Sequence, residues 1–171
     1  MFSFKISMRL KSNILFLIYC IRLLFFYRYS NVSCNDKCLN SLLPGPTTVV
    51  FKSNNKLTKT LELEISKIGF RIPNSKFLTE LIKYTKEPLV ITNLISPSPL
   101  NIYEFEILWN HIDIIVDGGL LGFEDDPKSR DDSTVVDLSI PGTYKILREG
   151  TFYESTITKL EKTCKLIHRK V

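Results

Sequence analysis

Residues 133–150 read STVVDLSIPGTYKILREG, and this stretch decides the fold. Ser133 to Leu138 is rich in β-branched residues, which pack well on a pleated surface, and predicts a strand. Pro141-Gly142 follows, a rigid bond beside a residue that tolerates positive φ, and the chain turns there. Tyr144 to Arg148 predicts a second strand, closed by Glu149-Gly150. The two strands together predict a β-hairpin.

Working outward, strands alternate with helices. Leu121 to Asp132, with Glu124-Asp125-Asp126-Pro127, reads as a solvated acidic loop that lacks the ligand spacing of a calcium loop. Before it, Asn101-x-x-Glu104 has the form of a capping box for a helix to Trp109, and Ile112 to Val116 predicts a buried strand ending in Asp117-Gly118-Gly119. Pro88 introduces Leu89-Val90-Ile91-Thr92, apolar on both faces, as a central strand. Asn74 caps a predicted helix through Tyr84 whose apolar face is Phe77, Leu78, Leu81 and Ile82. Ile68 to Ile72 is a short strand stopped by Pro73, and Thr47 to Phe51 is another, opened by the Pro44-Gly45-Pro46 turn. Residues 52–66 show no clean period. From Ser155 to Ile167 the spacing of Ile157, Leu160, Cys164 and Ile167 predicts an amphipathic cover helix. These elements amount to a mixed α/β domain.

A chain of 171 residues suits one domain, and 44% hydrophobic against 24% charged content excludes wholesale disorder, collagen-like repeats and disulfide-dense mini-proteins. The net charge of +5 suggests a nucleic-acid or membrane-surface binder until its location is noted. No acidic residue precedes Asp36, while Lys5, Arg9, Lys11, Arg22 and Arg28 do, so residues 36–171 hold 18 charges of each sign. The body of the chain is neutral, and net charge gives no argument for nucleic-acid binding.

Residues 1–33 form a basic, apolar N-terminal segment whose apolar stretch, Ile14 to Phe26, is broken by Arg22 and is too short to span a membrane. Three readings stand: a mitochondrial presequence, a secretory signal, or non-native sequence from a misread gene start. Basic, acid-free composition favours the first. The secretory reading would draw on Asn31-Val32-Ser33 as a glycan acceptor and on a Cys34–Cys38 disulfide, although the four cysteines form no recognisable framework. Cys34-x-x-x-Cys38 is half of a zinc site with no second pair, and His111 and His168 stand alone, so no metal centre is expected. Neither histidine lies in a motif suggesting a Ser/His/Asp or Cys/His apparatus, which argues against that kind of hydrolase.

Six segments, in order, resemble one family: Leu43-Pro44-Gly45-Pro46-x-Thr48, Gly69-Phe70-Arg71-Ile72-Pro73-Asn74, Pro88-Leu89-Val90-Ile91-Thr92-Asn93, Val116-Asp117-Gly118-Gly119, Ser133-Thr134-Val135-Val136-Asp137 and Ile146-Leu147-Arg148-Glu149-Gly150. The set is similar to the YrdC-like domain of threonylcarbamoyl-AMP synthases, as a partial domain over residues 37–167. The resemblance implies an α/β fold, a twisted open mixed sheet with flanking helices, incomplete at its N-terminal side. It also implies a nucleotidyltransferase that makes threonylcarbamoyl-AMP and pyrophosphate from L-threonine, bicarbonate and ATP, with Mg²⁺ carried by the nucleotide. A partner threonylcarbamoyl-transferase complex would then modify tRNA, with RNA itself a further partner, in the cytoplasm or the mitochondrion.

Such chemistry needs guanidinium groups, hydroxyls and N–H donors around the phosphates, and no covalent nucleophile. Carried over residue by residue, the resemblance assigns Arg148 and Asn93 to ATP and Arg71 and Ser133 to threonine, with Thr92 and Thr134 as neighbours. No residue is assigned as nucleophile or base. The chain departs from the family in two places. Thr92-Asn93-Leu94 stands where the family has Ser-x-Asn, and residues 1–33 lack the family's threonine-binding stretch and Lys-x-Arg motif. The chain therefore reads as a truncated or mispredicted member whose activity alone is in question. The alternative is a non-catalytic nucleotide- or RNA-binding module derived from the same fold.

Overall fold

The structure, a computed structural model, describes residues 16–20, 23–54, 56, 65–86, 89–91 and 99–170. Eight strands pair among them: β1 (Phe16–Tyr19), β2 (Ser30–Asn31), β3 (Thr47–Ser53), β4 (Lys67–Arg71), β5 (Leu89–Ile91), β6 (Thr134–Asp137), β7 (Thr143–Arg148) and β8 (Ile167–His168). They run in the order β5-β1-β4-β3-β6-β7-β8, with β2 added to β3. The sheet is mixed. β1 pairs with β4, and β3 with β6, in parallel, whereas β3–β4 and β6–β7 are antiparallel.

Residues paired across strands share a face, and that alternation divides the sheet. On one face Ile18, Ile68, Phe70, Val49, Phe51 and Val136 are fully buried. They pack under helices α1 (Leu24–Tyr29) and α2 (Asp36–Leu42), whose Phe26, Leu39 and Leu42 complete the cluster. Phe26 stacks on Phe70 with ring centroids 4.5 Å apart. Asn35 caps α2 by accepting from the Cys38 N–H, which fixes where that cover begins. The opposite face carries Gly69, Val50 and Val135, together with the polar residues described below.

Several expectations meet a different outcome. The helix read from Asn74 is α3 (Lys76–Thr85), capped by Ser75, whose Oγ accepts from the Leu78 N–H. Leu89–Ile91 is a terminal strand bonded only to β1, and Val90 is 45% exposed, so its apolar run does not mark a central strand. Ile112 to Val116 forms no strand: Ile114 is 73% and Val116 58% exposed. Apolar content there reflects no strand partner among the described residues. The capping box does form, Asn101 accepting from the Tyr103 N–H and Glu104 from the Leu100 N–H, but it opens a 3₁₀ helix, Ile102–His111. The C-terminal helix is α4 (Tyr153–Thr158), continued by a π-helical turn, Lys159–Thr163, and it ends before Ile167, which pairs in β8.

Residues from Phe16 onward are built into the domain instead of preceding it. β1 lies between β4 and β5, Phe26 is wholly buried, and the Ser33 hydroxyl donates to the Leu138 carbonyl. The structural boundary thus falls well before the expected start at Lys37. The cysteines also pair differently from the suggested Cys34–Cys38. Cys38 on α2 is disulfide-bonded to Cys164, and burial, with Asp36 nearby, pushes the Cys34 thiol up to about 11. No helix among the described residues is long and apolar enough to cross a membrane.

Candidate active site

Strand direction gathers four chain ends at one edge of the sheet. Because β3 and β6 run parallel while β4 and β7 run against them, the starts of the first pair lie beside the finishes of the second. Thr48, Arg71, Ser133 and Arg148 occupy those ends. Val49 pairs with Phe70, so the register continued by one residue sets Arg71 across from Thr48. On the far side of Arg71, Tyr19 is its partner in β1.

Arg148 reaches this face through an irregularity. Asp137 pairs with Lys145 and Val136 with Ile146, but Val135 pairs with Arg148, leaving Leu147 as an extra, half-exposed residue. Such a bulge re-aims the side chain that follows it. Without it, Arg148 would point to the other face.

The guanidinium is then pinned at three points. Nε donates to the Ser133 carbonyl at 3.1 Å, Nη2 to Ser133 Oγ at 3.3 Å and Nη1 to Asp132 Oδ2 at 2.5 Å. Arginine has five N–H groups, so two remain to meet a ligand from a fixed direction. Ser133 Oγ lies 2.9 Å from Thr48 Oγ1, and both residues are buried. Arg71 is oriented independently: Nε donates to the Gly45 carbonyl at 3.2 Å, Nη1 to the Tyr19 hydroxyl at 3.3 Å, and the guanidinium lies over the Tyr19 ring. The Leu43–Pro44 peptide beside Gly45 is cis. Two oriented guanidiniums and a buried hydroxyl form a site for an anionic, oxygen-rich ligand.

A family described as "Telomere recombination", the Sua5/YciO/YrdC family, matches residues 13–150. The chain belongs to this family. It is 42% identical over 139 residues to the threonylcarbamoyl-AMP synthase of Bos taurus and 40% identical to that of Homo sapiens, in each case over 80% of this chain and 50% of the relative. The chain spans about half the length of these curated relatives. Among solved structures, YciO of E. coli matches with a TM-score of 0.60 and 26% identity, over 84% of this chain and 69% of that one. Sua5 of P. abyssi in complex with L-threonine matches with a TM-score of 0.72 over 93% of this chain and 46% of that one. At 18% identity the second likeness shows the fold alone.

Of the family positions assigned from sequence, Arg71, Ser133 and Arg148 come to the same edge of the sheet. Thr134 does not join them: it pairs with Thr47 on the opposite face and gives its hydroxyl to the Thr151 carbonyl at 3.0 Å. Thr92 and Asn93 lie outside the described residues. Sequence reasoning gave no role to Thr48, Tyr19, Asp132 or Gly150, all of which shape this edge. Thr48 and Gly150 stood inside family-like segments, so the pattern marked them; Asp132 was hidden in an acidic loop, where charge alone distinguishes nothing.

No group of three His, Cys, Asp or Glu side chains able to hold a metal ion occurs among the described residues. A magnesium ion fits here only as part of the nucleotide substrate, held by phosphate oxygens that the arginines also face.

Proposed function

We propose that the chain takes part in threonylcarbamoyl-AMP synthesis, forming threonylcarbamoyl-AMP and pyrophosphate from L-threonine, bicarbonate and ATP. The observation that carries this reading is about 40% identity to curated threonylcarbamoyl-AMP synthases over a segment that includes Arg71, Ser133 and Arg148. In the reaction the threonine nitrogen takes up the bicarbonate carbon with loss of water. A carbamate oxygen then bonds to the α-phosphorus as the bond to the β-phosphate breaks, and pyrophosphate leaves with the electron pair.

Negative charge spreads over the phosphoryl oxygens as this happens, and preorganised N–H donors stabilise it because they need not turn at the moment of reaction. Arg148 supplies two N–H groups held in place by Asp132 and Ser133. Arg71 and Ser133 hold the amino-acid carboxylate, which sets the carbamate against the phosphate. Delivery of the product to a tRNA-modifying complex, in the cytoplasm or mitochondrion, belongs to the same reading.

Pyrophosphate release by the purified chain, assayed with each substrate withheld in turn, tests it. Release that requires threonine, bicarbonate and ATP together supports the synthase. ATP or RNA binding with no turnover supports instead a non-catalytic binding module on the same fold.

A further inference from the structure

We infer that Thr48 is a positioning residue that fixes the direction of the Ser133 hydroxyl proton. Either oxygen of the 2.9 Å Thr48–Ser133 contact could be the donor, but each hydroxyl has one proton and two lone pairs. Arg148 Nη2 can only donate, so one lone pair of Ser133 Oγ is occupied. Thr48 is 1% exposed, and its hydroxyl has no second partner among the described residues.

Two arrangements follow. If Ser133 donated to Thr48, the Thr48 proton would be left buried with no acceptor, which costs about 1–3 kcal/mol. If Thr48 donates, that proton is satisfied, Ser133 accepts from Thr48 and Arg148 together, and its own proton stays free. The second arrangement wins.

Ser133 then faces a ligand only as a donor, and a hydroxyl that already accepts two hydrogen bonds is a stronger donor itself. It suits a carboxylate or phosphate oxygen and repels an ammonium group. Taking that oxygen to be the threonine carboxylate rests on the synthase reading; the proton direction does not.

Two measurements separate these points. Neutron diffraction from deuterium-exchanged crystals of the ligand-free chain should show the Thr48 deuteron on the line to Ser133 Oγ and the Ser133 deuteron turned away. A Ser133 deuteron pointing at Thr48 overturns the inference whatever the chain's activity. In steady-state assays Thr48→Val, which keeps the shape and removes the hydroxyl, should raise the KM for L-threonine about five- to tenfold. The KM for ATP should stay within about twofold and Thr48→Ser should restore the threonine value, as expected of one hydrogen bond lost and regained. Equal shifts in both KM values, or no rescue by serine, assign Thr48 a merely structural role. Wild-type chain that turns over nothing defeats the synthase reading while the diffraction result still decides the role of Thr48.

Discussion

The backbone at Gly150 passes so close to Asp132 that a β-carbon at residue 150 would lie 2.2 Å from the Asp132 carbonyl oxygen and 2.8 Å from the Ser133 carbonyl carbon. The same carbonyl oxygen accepts from the Thr151 N–H, so the approach is fixed from both sides. Gly150→Ala must therefore push away the two residues that pin Arg148. Overpacking of this kind costs about 1–3 kcal/mol, to be read from urea unfolding. Pyrophosphate release should fall along with it. Gly142→Ala is the contrast: its φ is +74° but nothing lies within 4 Å, so stability should drop by about 1 kcal/mol with turnover unchanged.

Arg148→Lys tests whether a positive charge alone suffices. An ammonium is a point charge that cannot hold the Ser133 carbonyl, the Ser133 hydroxyl and the Asp132 carboxylate at once while still meeting phosphate in a fixed plane. The expected outcome is a fall of about 100-fold in kcat/KM for ATP, the scale of losing one preorganised donor, with the melting transition retained. A loss under about threefold would remove Arg148 from the phosphate site, since charge without geometry would then be enough.

What was legible in the sequence and what was not divides along physical lines. β3, β4, β6 and β7 were readable because β-branched runs bounded by proline and glycine leave few alternatives. Apolar content reports a need for burial but not a pairing partner. For that reason Leu89–Ile91 was misplaced at the sheet centre, and Ile112 to Val116 was given a strand it does not form. Phe16–Tyr19 failed for the opposite reason: its neighbours looked like a leader, and only the pairing with β4 and β5 identifies it as sheet. At the site, Arg71, Ser133 and Arg148 were marked by family pattern. Thr48 and Asp132 gained their roles only from register and from the bulge opposite Val135, neither of which a single sequence displays.

The Cys38–Cys164 bond closes a loop across 126 residues and ties α2 to the C-terminal helical turn. That turn buries Leu160, and the preceding α4 places Thr156 Oγ1 3.2 Å from Thr47 Oγ1, at the start of β3. Cross-linking so long a loop restricts the unfolded chain by about 4–5 kcal/mol in the entropic account. Dithiothreitol should lower the urea midpoint markedly, Cys164→Ser should match the reduced wild type, and the reductant should then have no further effect. Non-reducing peptide mapping that finds Cys38 joined elsewhere would refute the pairing.

Asp137 links stability to pH. Its side chain is buried on β6, and burial alone would raise its carboxyl; hydrogen bonds from Lys67 Nζ at 2.7 Å and the Ser139 N–H at 2.8 Å outweigh that and hold it below the usual carboxylate range. Arg169 Nη2, 3.4 Å away, adds a second positive charge. A carboxyl whose native value lies below its unfolded one stabilises the fold when both states are ionised, and that contribution drains away as pH falls from about 4 toward the native value. The urea midpoint of the wild type should be level near neutrality and decline in acid. Asp137→Asn keeps the shape but loses the charge, so it should unfold more easily at pH 7, with the gap to wild type closing below about pH 4. A gap that stays constant through that range would show that Asp137 contributes by packing, because only an ionised carboxylate makes the difference depend on pH.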